Sequence, residues 1–444
     1  MNRTYIRDIP RHLGSELLLQ GFVENFRDGK SMAFIVLKDI TGKVQITIEK
    51  EKLPQLLPAL EGLTPDSVIS VTGKAVANEF VKLHGIEMIP SAIAVESLAA
   101  ALPIAREDIP ATKRKAAVEK SGIDLRIDYR WVDLRTDRNQ LMFKVQSCVV
   151  AAMREFLLQN NFLEIHSPKL IGAASESGAD VFSVDYFERK AYLAQSPQFY
   201  KQMAMAGGFE RVFEVGPVFR AEKSFTSKHA TEFTGFDLEL SYIQSYRDVM
   251  QLQAELLTHA LQKLQAQYGE EIEKRFGLPV IIPTLPFPVI TLQELYAELK
   301  KEFNYTPEEG ECGDMTTEAE RLSYQWVQQK YSHEFLFITD FGAEKRAFYH
   351  MRDEHGVPQG YDLIWRGVEI TTGAQREHRH DILKAQAAER GLAEDVKFYL
   401  EFFKYGCPPH GGFGLGVDRL TMLLLGTHIN ETEFLFRSPK RLTP

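Results

Sequence analysis

The 444-residue sequence is poor in cysteine: it has three, Cys148, Cys312 and Cys407, all far apart. An odd number at such spacing excludes a disulfide framework and offers no CxxC pair for a structural zinc, so a reducing compartment is expected. Nowhere do about 18 uncharged apolar residues run together, and the opening MNRTYIRDIPRHLG has no apolar run of signal-peptide length. The expectation is a soluble, cytoplasmic protein. An excess of positive charge is missing too. The net charge of −9 argues against tight nonspecific DNA binding and confines any nucleic-acid contact to a local basic face. The phosphate-binding loop GxxxxGK[ST] is absent, and no internal repeat is visible.

What is present is the composition of a globular protein, 44% apolar and 25% charged, at a length that predicts two or more domains. From Glu16 to Ala94 short alternating runs dominate, as in AFIVLKDITGKVQITIEK, with Thr41-Gly42 supplying a turn. Five strands and a helix-like insert near Leu53–Leu60 predict a small closed barrel over residues 1–98, with an OB-fold as the first choice. Residues 99–138, rich in Ala, Pro and charge, read as a hinge. Within it ATKRKAAVEK is a solvated charge run by default, or a basic face toward RNA. From 139 to 444 the character changes. Leu141, Val145, Val149, Met153 and Phe156 have helical spacing, and Pro168 ends the strand-like FLEIHSPKL. Strands such as RVFEVGPVFRAE, FTGFDLELSY, EFLFITDF and YDLIWRGVEI are interspersed with helices at Tyr246–Gln267 and Ala393–Lys404. Without regular strand–helix alternation the expectation is α+β, a mainly antiparallel sheet flanked by helices.

Two stretches could carry chemistry. The glycines of GGFGLGVDR (Gly411–Arg419) permit close approach to a flat ligand or to another strand, and a helix starting near Val417 presents Arg419 to an anion. Close packing of strand against helix explains this stretch equally well. In GPVFRAEKSFTSKHATEFTGFDLEL (Gly216–Leu240), Arg220 and Glu222 share a strand face, with Phe233, Asp237 and Glu239 on a paired strand. A cation, an acceptor and an aromatic could hold a phosphate, an exocyclic amine and a purine, although a cross-strand salt bridge is the ordinary explanation of the charges alone. His378, His380 and Asp381 make an improbable metal site, because histidines two apart at a helix start face different ways.

Taken together, these stretches are similar to known motifs. FRAEKSFTSKHATEFTGFDLEL resembles motif 2 of class II aminoacyl-tRNA synthetases and GFGLGVDRLTMLLLG resembles motif 3. The helix at Asn139–Asn160 with FLEIHSPKL resembles motif 1, the dimer element. The likeness runs from the barrel to the closing SPKRLTP, and the barrel points to the subgroup for aspartate, asparagine and lysine. AASESGADVF, QSPQFYKQ and GVEITTGAQREHRHD resemble aspartyl-tRNA synthetases of the archaeal and eukaryotic type. Asparaginyl enzymes lack a lysine at the place of Lys201, and Lys201 with Arg376 would offer two cations to a carboxylate side chain.

The resemblance implies a role for each matching residue. Arg220 and Arg419 would be the catalytic cations. Arg220 would meet the substrate carboxylate and α-phosphate, while Arg419 would meet the γ-phosphate and one face of adenine. Glu222 would hold the adenine amino group, Phe233 would stack on the ring, and Lys228, His229 and Gly416 would complete the ATP site. Glu369 and Thr372 would hold Mg²⁺. The aspartate pocket would comprise Glu176, Gln198, Lys201, Arg220, Asp237, Thr372 and Arg376, with Glu176 on a segment able to close as a lid. In the barrel, Phe34 and Gln45 would read anticodon bases and Arg27 would meet phosphates. The implied reaction forms aspartyl-adenylate from aspartate and ATP, then transfers aspartate to tRNA-Asp, in a homodimer; whether tRNA-Asn is also charged stays open. Three positions depart from the pattern: Lys228 stands where Arg is usual, Thr372 stands for a Ser, and the usual Asn-Ile-Arg-(Asp/Glu) after motif 3 is degenerate as HINETEF. The rival readings are an asparagine-charging enzyme, an RNA-binding relative without catalysis, and an aspartate ligase with a non-tRNA acceptor.

Overall fold

The computed structural model describes residues 2–105, 121–172, 181–221 and 230–444. The chain divides into two compact units, the first ending at Ala105.

In the first unit, β1 (Glu16–Asp28), β2 (Met32–Lys38), β3 (Lys43–Glu49), β4 (Val68–Ala77) and β5 (Ile86–Ser97) close into a barrel in the order β1-β2-β3-β5-β4. Strand alternation sends Ala33, Ile35 and Leu37 inward to meet Ile46 and Ile48, and leaves Phe34 half-buried on the outer face. The turn after β2 forms because the Asp39 carboxylate accepts from the backbone N–H groups of Thr41 (2.7 Å) and Gly42 (3.0 Å). The expected insert is a 3₁₀ helix at Pro54–Leu60.

The second unit opens with helices α1 (Ile123–Asp128), α2 (Arg130–Asp133) and α3 (Asp137–Gln159). Residues 123–138, read from composition as hinge, are therefore folded into this unit. Arg126 donates to Asp133 and Glu431 at 2.8 Å each, and Arg130 donates to Asp133 at 2.6 Å, all four being buried. These buried ion pairs attach α1 and α2 to the rest of the unit, whereas the basic run ATKRKAAVEK lies outside the described residues.

Strands β6 (Leu163–Glu164), β7 (Leu170–Ile171), β8 (Ser183–Tyr186), β9 (Arg189–Leu193), β10 (Arg211–Phe219), β11 (Glu232–Ser241), β12 (Val289–Thr291), β13 (Phe335–Thr339), β14 (Gly360–Trp365), β15 (Val368–Gln375) and β16 (His410–Gly416) follow. Eight of them form one sheet in the order β12-β13-β14-β15-β16-β11-β10-β6, antiparallel except at β12/β13 and β10/β6, and β7-β9-β8 form a small second sheet. YDLIWRGVEI is two strands, not one. Arg366 (φ 49°) and Gly367 (φ 76°) both take left-handed conformations and fold β14 back on β15 as a two-residue hairpin.

The helices are α4 (Gln198–Ala206), α5 (Tyr246–Phe276), α6 (Leu292–Phe303), α7 (Thr317–Tyr331), α8 (His380–Glu389), α9 (Lys397–Lys404), α10 (Val417–Leu425) and α11 (Ile429–Thr432). α5 begins at a capping box, Ser245 with Asp248, and runs nine residues beyond the expected Gln267 to a left-handed Gly277. α3 and α5 bury Val145, Val149, Leu257 and Leu261 against Phe213, Phe236 and Leu238 of the sheet. That leaves the other sheet face to build a site. Among the described residues no helix is long and apolar enough to cross a membrane.

Candidate active site

A cavity of about 410 Å³ lies over the middle of the large sheet, where β10, β11, β16 and β15 run side by side. On β11 the period of two puts Phe233, Gly235, Asp237 and Glu239 on the cavity side, while Phe236, Leu238 and Leu240 enter the core. Asp237 reaches the cavity lining; Glu239, one step further along, has no exposure.

The wall beside Phe233 is made by Arg220. β10 ends at Phe219, so Arg220 lies just beyond the strand, but its N–H still donates to the Thr231 carbonyl at 2.9 Å. Its guanidinium stands 5.4 Å from the Phe233 ring centroid, a cation–π contact. Glu222, Lys228 and His229, and Glu176 of the expected lid, lie outside the described residues.

The glycines of β16 answer to the neighbouring strand. Gly412 and Gly414 lie opposite Glu239 and Asp237. A Cβ on Gly412 would stand 2.0 Å from the Leu238 oxygen and 2.3 Å from Glu239 Oε2, and one on Gly414 would stand 2.8 Å from Asp237 Oδ1. They make room for two carboxylates. Gly416 differs: it lines the cavity, and the nearest atom to its Cβ position is Arg419 Cβ at 3.6 Å.

Those carboxylates hold the two cations noted in the sequence. Lys201 Nζ donates to Asp237 Oδ1 (3.1 Å), Phe413 O (3.0 Å) and Leu238 O (3.3 Å), and lies 3.3 Å from Glu239 Oε2. Arg376 donates from Nε to Glu239 Oε1 (3.0 Å) and from Nη2 to Gly412 O (2.9 Å). Burial opposes ionisation of Glu239, but Arg376 and Lys201 outweigh it and hold its carboxyl below the usual range. Lys201 and Arg376 are 1% and 3% exposed, and neither is on the cavity lining. Tyr349 is on the lining, with its ring 5.5 Å from the Arg376 guanidinium.

On the opposite wall, Glu369 and Thr372 are three residues apart on β15, a spacing that regular pleating sends to opposite faces. The register to β14 runs Ile364–Glu369 and then Leu363–Thr371, so Ile370 is an extra, bulged residue. The bulge returns both side chains to one face, where Thr372 Oγ1 donates to Glu369 Oε1 at 3.0 Å. Arg419, on the first turn of α10, donates to the Glu369 carbonyl at 2.8 Å. Behind this pair, Arg346 grips Asp362 with two bonds of 2.8 and 2.7 Å, while burial pushes the Asp362 carboxyl up to about 6. Among the described residues no group of three or more His, Cys, Asp or Glu is placed to hold a metal ion. A carboxylate and a hydroxyl alone, both hard oxygen donors at a polar cavity, suit Mg²⁺, which keeps waters and phosphate oxygens as its remaining ligands.

Sequence reasoning passed over several residues of this site. Asp418 accepts from Thr234 N (2.8 Å) and Gln146 Nε2 (3.0 Å), tying α10 to β11 and α3. Glu239 and Tyr349 were given no role. A single acid inside the apolar GYDLIW was the available signal for Asp362. In the barrel, Arg27 lies opposite Phe34, its guanidinium 6.0 Å from the ring, and Gln45 lies on the same outer face, donating to Thr47 Oγ1 at 3.1 Å.

Comparison with known proteins agrees with this architecture. Residues 17–95 match the model of the OB-fold nucleic acid binding domain, and residues 122–436 match that of tRNA synthetases class II (D, K and N). The chain is 42% identical over 446 residues to the aspartate–tRNA(Asp/Asn) ligase of Methanopyrus kandleri and 39% identical over 449 residues to the aspartate–tRNA(Asp) ligase of Pyrococcus abyssi, with 99% of each chain covered in both cases. Among solved structures, asparaginyl-tRNA synthetase from Pyrococcus horikoshii complexed with asparaginyl-adenylate superimposes with a TM-score of 0.89 at 29% identity over the whole of both chains. Aspartyl tRNA synthetase from Entamoeba histolytica gives 0.87 at 31% identity, covering all of this chain and 93% of that one. A match over most of the second unit, another over the barrel and relatives aligned end to end place the chain in the class II aminoacyl-tRNA synthetases of the aspartate, lysine and asparagine group.

Proposed function

We propose that the cavity binds ATP and L-aspartate, joins them as aspartyl-adenylate with release of pyrophosphate, and passes aspartate to the terminal ribose of tRNA-Asp. The chain is an aspartate–tRNA ligase, in keeping with its full-length relatives. The observation that carries the mechanism is the meeting of Arg220, Phe233, Glu369, Arg419 and Asp237 around one cavity. Phe233 and the Arg419 side chain bracket the adenine ring, and Glu222 receives its amino group. Arg220 holds the carboxylate of aspartate against the α-phosphate, where attack is in line and needs no protein nucleophile. Lys228, His229 and Arg419 take the triphosphate tail, with Gly416 beside it. Glu369 and Thr372 would hold Mg²⁺, which when bound would neutralise charge on the phosphates. Arg220 and Arg419 stabilise charge developing on the phosphate, the principal source of catalysis in such a site.

In the amino-acid pocket Asp237 and Glu176 suit the ammonium group, and Lys201 and Arg376, which stand behind the lining on Asp237 and Glu239, are the cations that would favour a carboxylate side chain over an amide. Gln198 and Thr372 complete it. The barrel reads the anticodon through Phe34, Gln45 and Arg27. Residues 1–98 serve as the anticodon-binding domain. A homodimer in the cytoplasm is the working state.

Labelled aspartate, offered with purified tRNA-Asp and tRNA-Asn transcripts and with asparagine and lysine controls, tests the reading. Charging of tRNA-Asp supports it, and charging of both tRNAs identifies a relaxed enzyme that needs a downstream amidation. Arg419→Ala is expected to lower ATP–pyrophosphate exchange by about 100-fold or more with an unchanged melting curve. Normal exchange in that variant would remove Arg419 from the mechanism.

A further inference from the structure

Behind Gln198 lies a buried polar relay. Gln198 Nε2 is 2.9 Å from Gln202 Oε1, the Tyr399 hydroxyl is 2.9 Å from the same oxygen, and Gln202 Nε2 is 3.0 Å from His410 Nε2. His410 Nδ1 is 2.8 Å from the Pro408 carbonyl. Gln198, Gln202, Tyr399 and His410 range from 0 to 5% exposed.

Each orientation in this relay follows from the one before. A carbonyl oxygen only accepts, so at 2.8 Å it requires a proton on Nδ1 of His410. The Cys407 thiol, also near Nδ1 at 3.6 Å, is held protonated by burial, with its pKa at about 12. Burial likewise drives the His410 imidazole down to about 4, against the pull of Glu239, so the ring is neutral. A neutral ring protonated at Nδ1 has a lone pair at Nε2, which must accept from the amide nitrogen of Gln202. Gln202 Oε1 then faces Tyr399 and Gln198 and accepts from both. With its amide nitrogen so engaged, Gln198 has its Oε1 left for the cavity it lines, and that atom has no hydrogen bond among the described residues. The Asp237 carboxylate lines the same cavity.

We propose that Gln202, oriented by His410 and Tyr399, is a positioning residue that fixes the carbonyl oxygen of Gln198 toward the cavity, where it accepts from the ammonium group of the bound amino acid. An unrestrained amide could present its NH₂ instead, setting a donor against a donor. The inference rests on the reading of the cavity as an amino-acid site, and wild-type exchange that failed to depend on aspartate would overturn that reading separately.

The test is aspartate-dependent ATP–pyrophosphate exchange, with succinate as a competitive probe that lacks the ammonium. Gln202→Met is expected to raise the KM for aspartate about tenfold while leaving the KM for ATP and the inhibition constant of succinate near their wild-type values. Gln202→Glu restores the KM, since a buried carboxylic acid can donate its O–H to His410 and still offer an oxygen to Gln198. Tyr399→Phe, which removes one of two donors from Gln202, gives a smaller rise with the same selectivity, and decides the matter should the Met variant not fold. An unchanged KM for aspartate, an equal weakening of succinate, or a Glu variant as impaired as the Met variant would overturn the proposal.

Discussion

Glu433 is a carboxyl that the fold keeps uncharged. It is 6% exposed, and burial first and then the neighbouring Asp418 push its pKa up to about 9, with Glu232 adding to the effect and the backbone and charge of Arg437 opposing it. The unfolded chain loses this proton near pH 4.3. Between those values the folded state binds the extra proton, so this group's contribution is fully present below the unfolded pKa and fades as pH rises toward 9. Glu433→Gln should therefore raise stability at pH 8 by about 1–3 kcal/mol and change little at pH 4, as read from urea unfolding at both pH values. Glu239 is the opposite case, a carboxyl kept charged between Lys201 and Arg376. Glu239→Gln leaves the buried Arg376 without its carboxylate and Lys201 with Asp237 alone, and about 3–5 kcal/mol of stability is the expected loss in the same measurement. The acid, the lysine and the arginine were all visible in the sequence as residue types. Their mutual neutralisation was not, because it joins β11, α4 and the end of β15, which only the folded sheet brings together.

At the scale of elements, β16 carries the clearest test. Gly412→Ala would drive a Cβ into the Leu238 carbonyl and Glu239, forcing β16 off β11 at the floor of the cavity. Gly416→Ala, with only Arg419 Cβ at 3.6 Å, meets no such obstacle. The first variant should be insoluble or melt well below wild type, whereas the second should keep its melting temperature within a few degrees; thermal unfolding monitored by circular dichroism separates them. Period and turn chemistry made most elements legible: the barrel strands by alternation, α3 and α5 by helical spacing, α10 by its position after the glycines. What escaped had no local signal. The bulge at Ile370 is a property of pairing with β14, and Arg366 entered a left-handed conformation that its residue type does not favour, so one strand was read where a hairpin stands. The attachment of α1 to the end of the chain had no local signal either, because the Glu431 that Arg126 meets is some 300 residues away.

For the whole molecule, the change from a period of two to helical spacing marks two folding units with separate cores, and separate cores allow separable functions. Phe34 supplies the sharpest division of labour. It stands on the outer face of the barrel beside Arg27 and takes no part in the barrel core, so its removal should not unfold that unit. A base stacked on an aromatic ring is worth about 1–3 kcal/mol, which corresponds to a loss of roughly 5- to 150-fold in affinity for a single-stranded loop. Phe34→Ala in the full-length chain should thus lower kcat/KM for charging tRNA-Asp within that range, through KM, while aspartate-dependent pyrophosphate exchange keeps its wild-type rate. Because the net charge of −9 gives the protein no general attraction for RNA, the loss should persist at both low and moderate salt. If exchange falls together with charging, Phe34 acts on the stability of the chain, and the barrel surface at Arg27, Phe34 and Gln45 is not where the anticodon is read.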